Sequence, residues 1–173
     1  GLIVYLNNHR VGVLEQGDAP IFTYDRAWLH SAEAYPLSRQ LPLQAEAFVG
    51  RIVRAFFAGL LPEAETRERI ASLLGVSVGN DFALLERIGG ECAGAVSLWP
   101  AGQSPPASTG PTSRRRLDAS ELEEIVRQLP QRPLLAGAEG IRLSLAGAQV
   151  KLPVIVDPAD GSLALPLGAS AST

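Results

Sequence analysis

The chain of 173 residues contains no methionine, one cysteine, two histidines and few aromatics, the last making up only 6% of it. A single cysteine excludes an intrachain disulfide and suits a reducing cytoplasm. Two isolated histidines, His9 and His30, do not make a metal or catalytic site, and no HExxH, GxSxG, paired CxxC or EF-hand spacing occurs. No apolar run approaches the roughly 18 residues of a membrane span, and no signal-peptide pattern opens the chain. The net charge of −3 gives no general attraction to nucleic acid or anionic lipid. With Gly1 first and no methionine anywhere, the N-terminus is expected to have been trimmed or replaced.

What is present is enough for one ordinary domain or two small ones, since 46% of residues are hydrophobic and 19% charged. Residues 2–24 read as a β-meander: a β-branched run, an Asn7-Asn8 turn, a second run over 11–14, then "IFTY". Residues 34–43, "AYPLSRQLPL", are expected to be extended, because each proline drives its predecessor out of the helical region. In residues 48–61 Phe48, Val49, Ile52, Val53, Phe56, Phe57, Leu60 and Leu61 recur at three- and four-residue spacing and predict a helix with one broad buried stripe. Pro62 suits the first turn of a second helix that ends at Gly75. A third begins near Asn80 or Asp81, buries Phe82, Leu84, Leu85 and Ile88, and stops at Gly89-Gly90, before the strand-like "AGAVSLW".

Residues 100–113 are rich in Pro, Gly, Ser and Thr, with too little apolar surface to order themselves, and read as a linker or mobile loop. Arg114, Arg115 and Arg116 follow as a charged flank, able to meet a phosphate or an acidic partner but more simply solvated. The next helix is signposted by Asp118 as N-cap, Glu121 as its capping-box partner and a buried face of Leu122, Ile125, Val126 and Leu129. β structure is expected from Leu143 onward, with a turn at "DPADG".

Two stretches could carry chemistry. In "IRLSLAGAQVK" the small residues Ala146, Gly147 and Ala148 would let backbone N–H groups approach phosphate oxygens, with Gln149 adding an amide and Lys151 a positive charge. An ordinary hairpin with a turn glycine explains the same residues, and pattern alone favours it, because this is not a Walker A sequence. Ala71, Gly75 and the following helix have the spacing of a helix-turn-helix DNA reader. The second helix opens on Asp81 and offers no Asn, Gln or Arg at its start to reach base edges, so plain helical packing is expected there. Cys92 has no partner in sequence and reads as a buried thiol.

Taken in order, "YLNNHRVGVL", "YPLSRQLPL", "FFAGLLPE" with Arg67 and Arg69 after it, "DFALLERIGGECAGAVSL", "IRLSLAGAQVK" and "LPLGASAST" resemble the N-terminal part of the HipA-family toxins. These are serine/threonine kinases of bacterial toxin–antitoxin modules. The resemblance implies an α+β chain: a small N-terminal α/β subdomain of a β-meander plus three helices over 1–99, a linker over 100–113, and over 114–173 the start of a kinase-like N-lobe with a phosphate-loop hairpin. It also implies that Ala146, Gly147, Ala148, Gln149 and Lys151 lie over the phosphates of ATP, with Mg²⁺ as the metal, and that Ser144 is a regulatory autophosphorylation site. A phosphoserine there adds about −1.5 to −2 charge beside a loop meant for anions, so the two should compete.

Val150 departs from the pattern, which commonly has an acidic residue there, and supplies no carboxylate for that residue's contacts. The family's catalytic aspartates are not among these residues, so the chain is expected to be inert by itself, as part of a truncated kinase. The whole would phosphorylate a protein target in translation and be inhibited by a DNA-binding antitoxin of the HipB type. The competing expectation is a non-catalytic module of a split toxin–antitoxin system. A reading frame that continues beyond Thr173 into kinase-like sequence would exclude that alternative.

Overall fold

A computed structural model describes residues 1–92, 95–105, 114–128 and 154–166. Its first unit is a five-stranded antiparallel sheet in the order β4-β3-β2-β1-β5, made of β1 (Leu2–Leu6), β2 (His9–Glu15), β3 (Ile21–Tyr24), β4 (Phe48–Val49) and β5 (Val96–Pro100). The helices are α1 (Arg26–Leu29), α2 (Arg51–Ala58), α3 (Ala64–Leu74) and α4 (Asp81–Ile88), the last running into a 3-10 turn over Gly89–Glu91. The single turn of α1 adds a fourth helix to the three expected from the pattern.

The first hairpin forms as its sequence dictates. Leu6 pairs with His9, leaving Asn7 and Asn8 as a two-residue loop with φ of 49° and 67°. Two consecutive positive φ values make a turn whose twist matches that of the strands, and asparagine tolerates them. The register then shifts between Val4 and Tyr5, so that both Val11 and Gly12 are buried. Gly12 sits beneath the Phe22 ring, where even a methyl group would come within 2.4 Å of the Thr23 carbonyl oxygen and 2.7 Å of that ring.

Phe48 and Val49, expected in a helix, form strand β4 instead. They pair with Phe22 and Ile21, and the chain turns at Gly50 with φ of 80°, a conformation that ends helical continuity. Helical spacing alone could not register that pairing partner. The buried stripe of α2 is accordingly narrower: Val53 and Phe57 are buried, whereas Ile52 is exposed. Pro62 precedes α3 rather than opening it. The first residue of α3, Ala64, has φ of 43°, which is costly for a residue with a Cβ. At the other end Gly75 takes the left-handed C-cap that a glycine favours. Asn80 caps α4, its side-chain oxygen accepting from the Ala83 amide at 3.0 Å.

One face of the sheet and all four helices share a single core: Leu2, Val4, Leu14 and Phe22 from the strands, Trp28, Val53, Phe57, Ile70, Leu84 and Leu85 from the helices. Phe22 is its hub, 4.8 Å from Tyr24 edge-on and 5.5 Å from Phe57 between ring centroids. The extended stretch after α1 is pinned to this core. The Tyr24 hydroxyl donates to the Leu41 carbonyl at 2.6 Å and accepts from the Leu37 amide at 2.8 Å. Burial pushes the Tyr24 phenol above its ordinary value, partly offset by the Leu37 amide.

The second unit is a three-stranded antiparallel sheet in the order β6-β8-β7, with β6 (Arg114–Leu117), β7 (Ile155–Val156) and β8 (Leu163–Pro166), plus helix α5 (Ala119–Gln128). The arginine run is thus a strand rather than a flank. α5 has the expected capping box: the Glu121 amide donates to Asp118 Oδ1 at 2.7 Å, and the Asp118 amide to Glu121 Oε2 at 3.1 Å. Its expected buried face is not realised among the described residues. Leu122 and Ile125 are half-buried and Val126 is exposed. The "DPADG" turn closes β7 onto β8, with Gly161 at φ of 71° and the Asp157 amide donating to the Ser162 carbonyl at 2.8 Å.

Candidate functional site

The residues nominated by sequence for a phosphate loop, Ala146, Gly147, Ala148, Gln149 and Lys151, and the nominated phosphorylation site Ser144, lie outside the described residues. The linker over 100–113 is described only as far as residue 105. Two arginines of the run are ion-paired within the second unit. Arg115 pairs with Glu121 at 2.8 Å and Arg116 with Asp160 at 2.7 Å. Asp118 is held below the usual carboxylate range by the Ser120 hydroxyl and the Glu121 amide, Asp160 by the hydroxyl and amide of Ser162. Asp118 caps α5 and Asp160 the turn between β7 and β8.

The first unit contains a cleft of about 630 Å³ between the β2–β3 turn, α2 and the start of α4. The buried Leu14, Phe57 and Leu85 line it with apolar surface, and Arg54, Asn80 and Asp81 supply polar groups. Asp81 is the organising group. It accepts from Arg54 Nε on α2 at 2.9 Å and from Arg67 on α3, and the Arg67 Nε also donates to the Val78 carbonyl at 3.0 Å. One carboxylate therefore ties three helices together at the N-terminus of α4, where the helix dipole also favours an anion. Sequence reading placed Asp81 at the start of a helix and as an acid that disfavours DNA, but not as the centre of an ion-pair network. Its arginines lie 27 and 14 residues away, beyond any local spacing rule.

That network occupies the position a helix-turn-helix reader would use. The start of α4, which a DNA reader would present to bases, is occupied by an ion-paired carboxylate, and Leu84 and Leu85 are buried in the core. Cys92 is buried, as expected of a lone thiol. His30 Nδ1 sits 2.7 Å from the Arg26 carbonyl, and His9 lies against Trp28 with centroids 6.0 Å apart. Among the described residues no His, Cys, Asp and Glu group could hold a metal, and no helix is long and apolar enough to cross a membrane.

The meander, four helices and closing strand make a mixed α/β unit of a defined class, joined to a smaller β unit. Residues 2–99 match the HipA N-terminal domain family. The putative kinase Y4mE of Sinorhizobium fredii is 50% identical over 155 residues, covering 88% of this chain and 36% of that protein. The serine/threonine-protein kinase toxin HipA of Shewanella oneidensis is 34% identical over 129 residues, covering 75% and 28%. The solved complex of Shewanella oneidensis HipA, HipB and operator DNA holds a chain with a TM-score of 0.73 and 30% identity, covering all of this chain and 39% of that one. The chain belongs to the HipA family and is similar to the N-terminal portion of its members. It spans about a third of the length of these relatives.

Proposed function

We propose that these residues are the N-terminal part of a HipA-like serine/threonine protein kinase toxin. The whole protein transfers the γ-phosphate of ATP to a protein target in translation, works in the cytoplasm, and is restrained by a DNA-binding antitoxin of the HipB type. The observation that carries this reading is the 50% identity to a putative kinase across 88% of the chain, including the stretch that holds "RLSLAGAQVK". The antitoxin is supported by the HipA–HipB–DNA assembly of the structural relative.

In this reading residues 114–173 begin the kinase core, and Ala146, Gly147, Ala148, Gln149 and Lys151 hold the nucleotide. ATP with Mg²⁺ supplies the transferable phosphoryl group. This chain's part is to present backbone N–H groups unobstructed by large side chains and the Lys151 ammonium to the phosphate oxygens. Ser144 is the off-switch, because its phosphate would compete with the nucleotide for the same donors. The base and metal-binding aspartates come from the rest of the polypeptide, so residues 1–173 alone are inert.

The test is direct. The longer polypeptide, incubated with ATP and Mg²⁺, should acquire phosphate at Ser144, and Lys151→Ala should abolish the transfer. No phosphate on Ser144 or on any protein substrate would overturn the reading.

A further inference from the structure

Antiparallel sheets that pack helices on one side ordinarily turn polar residues outward on the other. Here an apolar band crosses that face, between Glu15 on one side and Arg10 and Ser97 on the other. Trp99, Ile3, Val13 and Thr23 form one continuous row across four strands, since Ile3 pairs with Trp99 on one side and with Val13 on the other, and Val13 pairs with Thr23. Ile21 and Val49, themselves paired, extend the surface onto β4, where Val49 is 59% exposed. The others are half-buried. Among the described residues, Ile3, Val13, Ile21 and Val49 stand outside the buried core, whereas the Trp99 ring at the end of the row lies against Gly90 of the 3-10 turn.

We propose that this outer face is the seat on which the rest of the polypeptide docks, in the longer protein of which these residues form the N-terminal part. This rests on the functional reading above. Three observations select that occupant. Well over half the length of the relatives lies outside the part this chain matches, which supplies a body of protein large enough to cover the face. The band is apolar and aromatic, as permanent interfaces are, whereas transient contacts are more polar. Its nearby charges do not suit a polyanion: Glu15 is acidic, and Arg10 on β2 is engaged by Asp25 at 2.7 Å. An exposed apolar band of this breadth is otherwise a liability for association.

Photo-crosslinking in the longer polypeptide tests it. Benzoyl-phenylalanine is placed at position 13 in the centre of the row and, in a second variant, at position 23, so that one failure to fold does not end the experiment. A third at Glu86, exposed on α4, is the control. The expected product at 13 or 23 is an intramolecular crosslink to a residue beyond 173, unchanged on dilution and absent at 86. Crosslinks to a second copy, to a separate protein such as an antitoxin, only within residues 1–173, or to nothing at all would each overturn the proposal. Phosphate transfer from ATP is scored on the same preparations. Crosslinking without transfer sinks the kinase reading and leaves the docking face, and transfer without crosslinking does the reverse.

Discussion

Arg67 on α3 and Asp81 on α4 form an ion pair with less than a fifth of either side chain exposed, 19% and 17%. Arg54 reaches the same carboxylate from α2 with 63% of its side chain in solvent. The two arginines should therefore contribute unequally. Asp81→Ala leaves the sheltered Arg67 without its counter-ion and should cost roughly 2–3 kcal/mol in urea unfolding. Arg54→Ala should cost under about 1 kcal/mol, as exposed pairs do. Equal losses would show that burial does not govern this network.

The two ends of α3 make opposite demands on the backbone. Ala64 holds a positive φ with a Cβ present, so Ala64→Gly should raise stability by roughly 0.5–1 kcal/mol. Gly75 holds φ of 66° with no atom within 4 Å of where a Cβ would stand. Gly75→Ala should therefore lower stability by about 1 kcal/mol through conformation alone, with no clash to relieve. Thermal melts of the two variants should shift in opposite directions.

Gly12→Ala should be far more damaging than either. Its methyl would strike backbone at Thr23 and the Phe22 ring at the centre of the core, neither of which can yield cheaply. A loss of about 3 kcal/mol or more is expected, or failure to fold, read by the near-ultraviolet signal of the aromatic cluster.

Tyr24 gives the first unit an alkaline limit. Its folded phenol titrates above the ordinary 10.0, so the neutral form is the one the fold favours. That contribution is fully present below pH 10 and is lost as the pH climbs from there through the folded value. Tyr24→Phe should remove this dependence. It should also cost roughly 1–3 kcal/mol at neutral pH, because the Leu37 amide and Leu41 carbonyl lose their partner.

In the longer protein, the proposed role of Ser144 predicts an electrostatic conflict with nucleotide. Ser144→Glu should weaken ATP binding roughly tenfold, more at low salt than at high, while Ser144→Ala leaves it near normal. Equal effects of the two substitutions, measured by titration calorimetry, would remove charge as the cause.

What sequence revealed and what it hid follow from the range of the interactions. The Asp118–Glu121 capping box, the Asn80 cap, the left-handed Gly75 and the Asn7-Asn8 turn are contacts within a few residues, and each formed as its spacing indicated. Phe48 and Val49 misled because a helical period continues through them, while the strand that captures them, β3, lies more than twenty residues upstream. The Asp81 network was hidden for the same reason. So was the apolar outer row, which arises only once register sets Trp99 beside Ile3. The phosphate loop was nominated by the order of several motifs rather than by its own residues, and it falls outside the described part of the chain.

The place of β1 in the sheet has a kinetic corollary. Its hairpin with β2 needs only the first residues of the chain, but its other edge must wait for β5, where Leu2 meets Pro100. Until that loop closes, β1 is an unprotected strand edge able to pair with any extended segment nearby. During synthesis the emerging polypeptide carries this open edge through the whole passage of α2, α3 and α4. Substitutions that weaken β5 should therefore show first as aggregation of nascent chains, before any loss of stability in the finished protein.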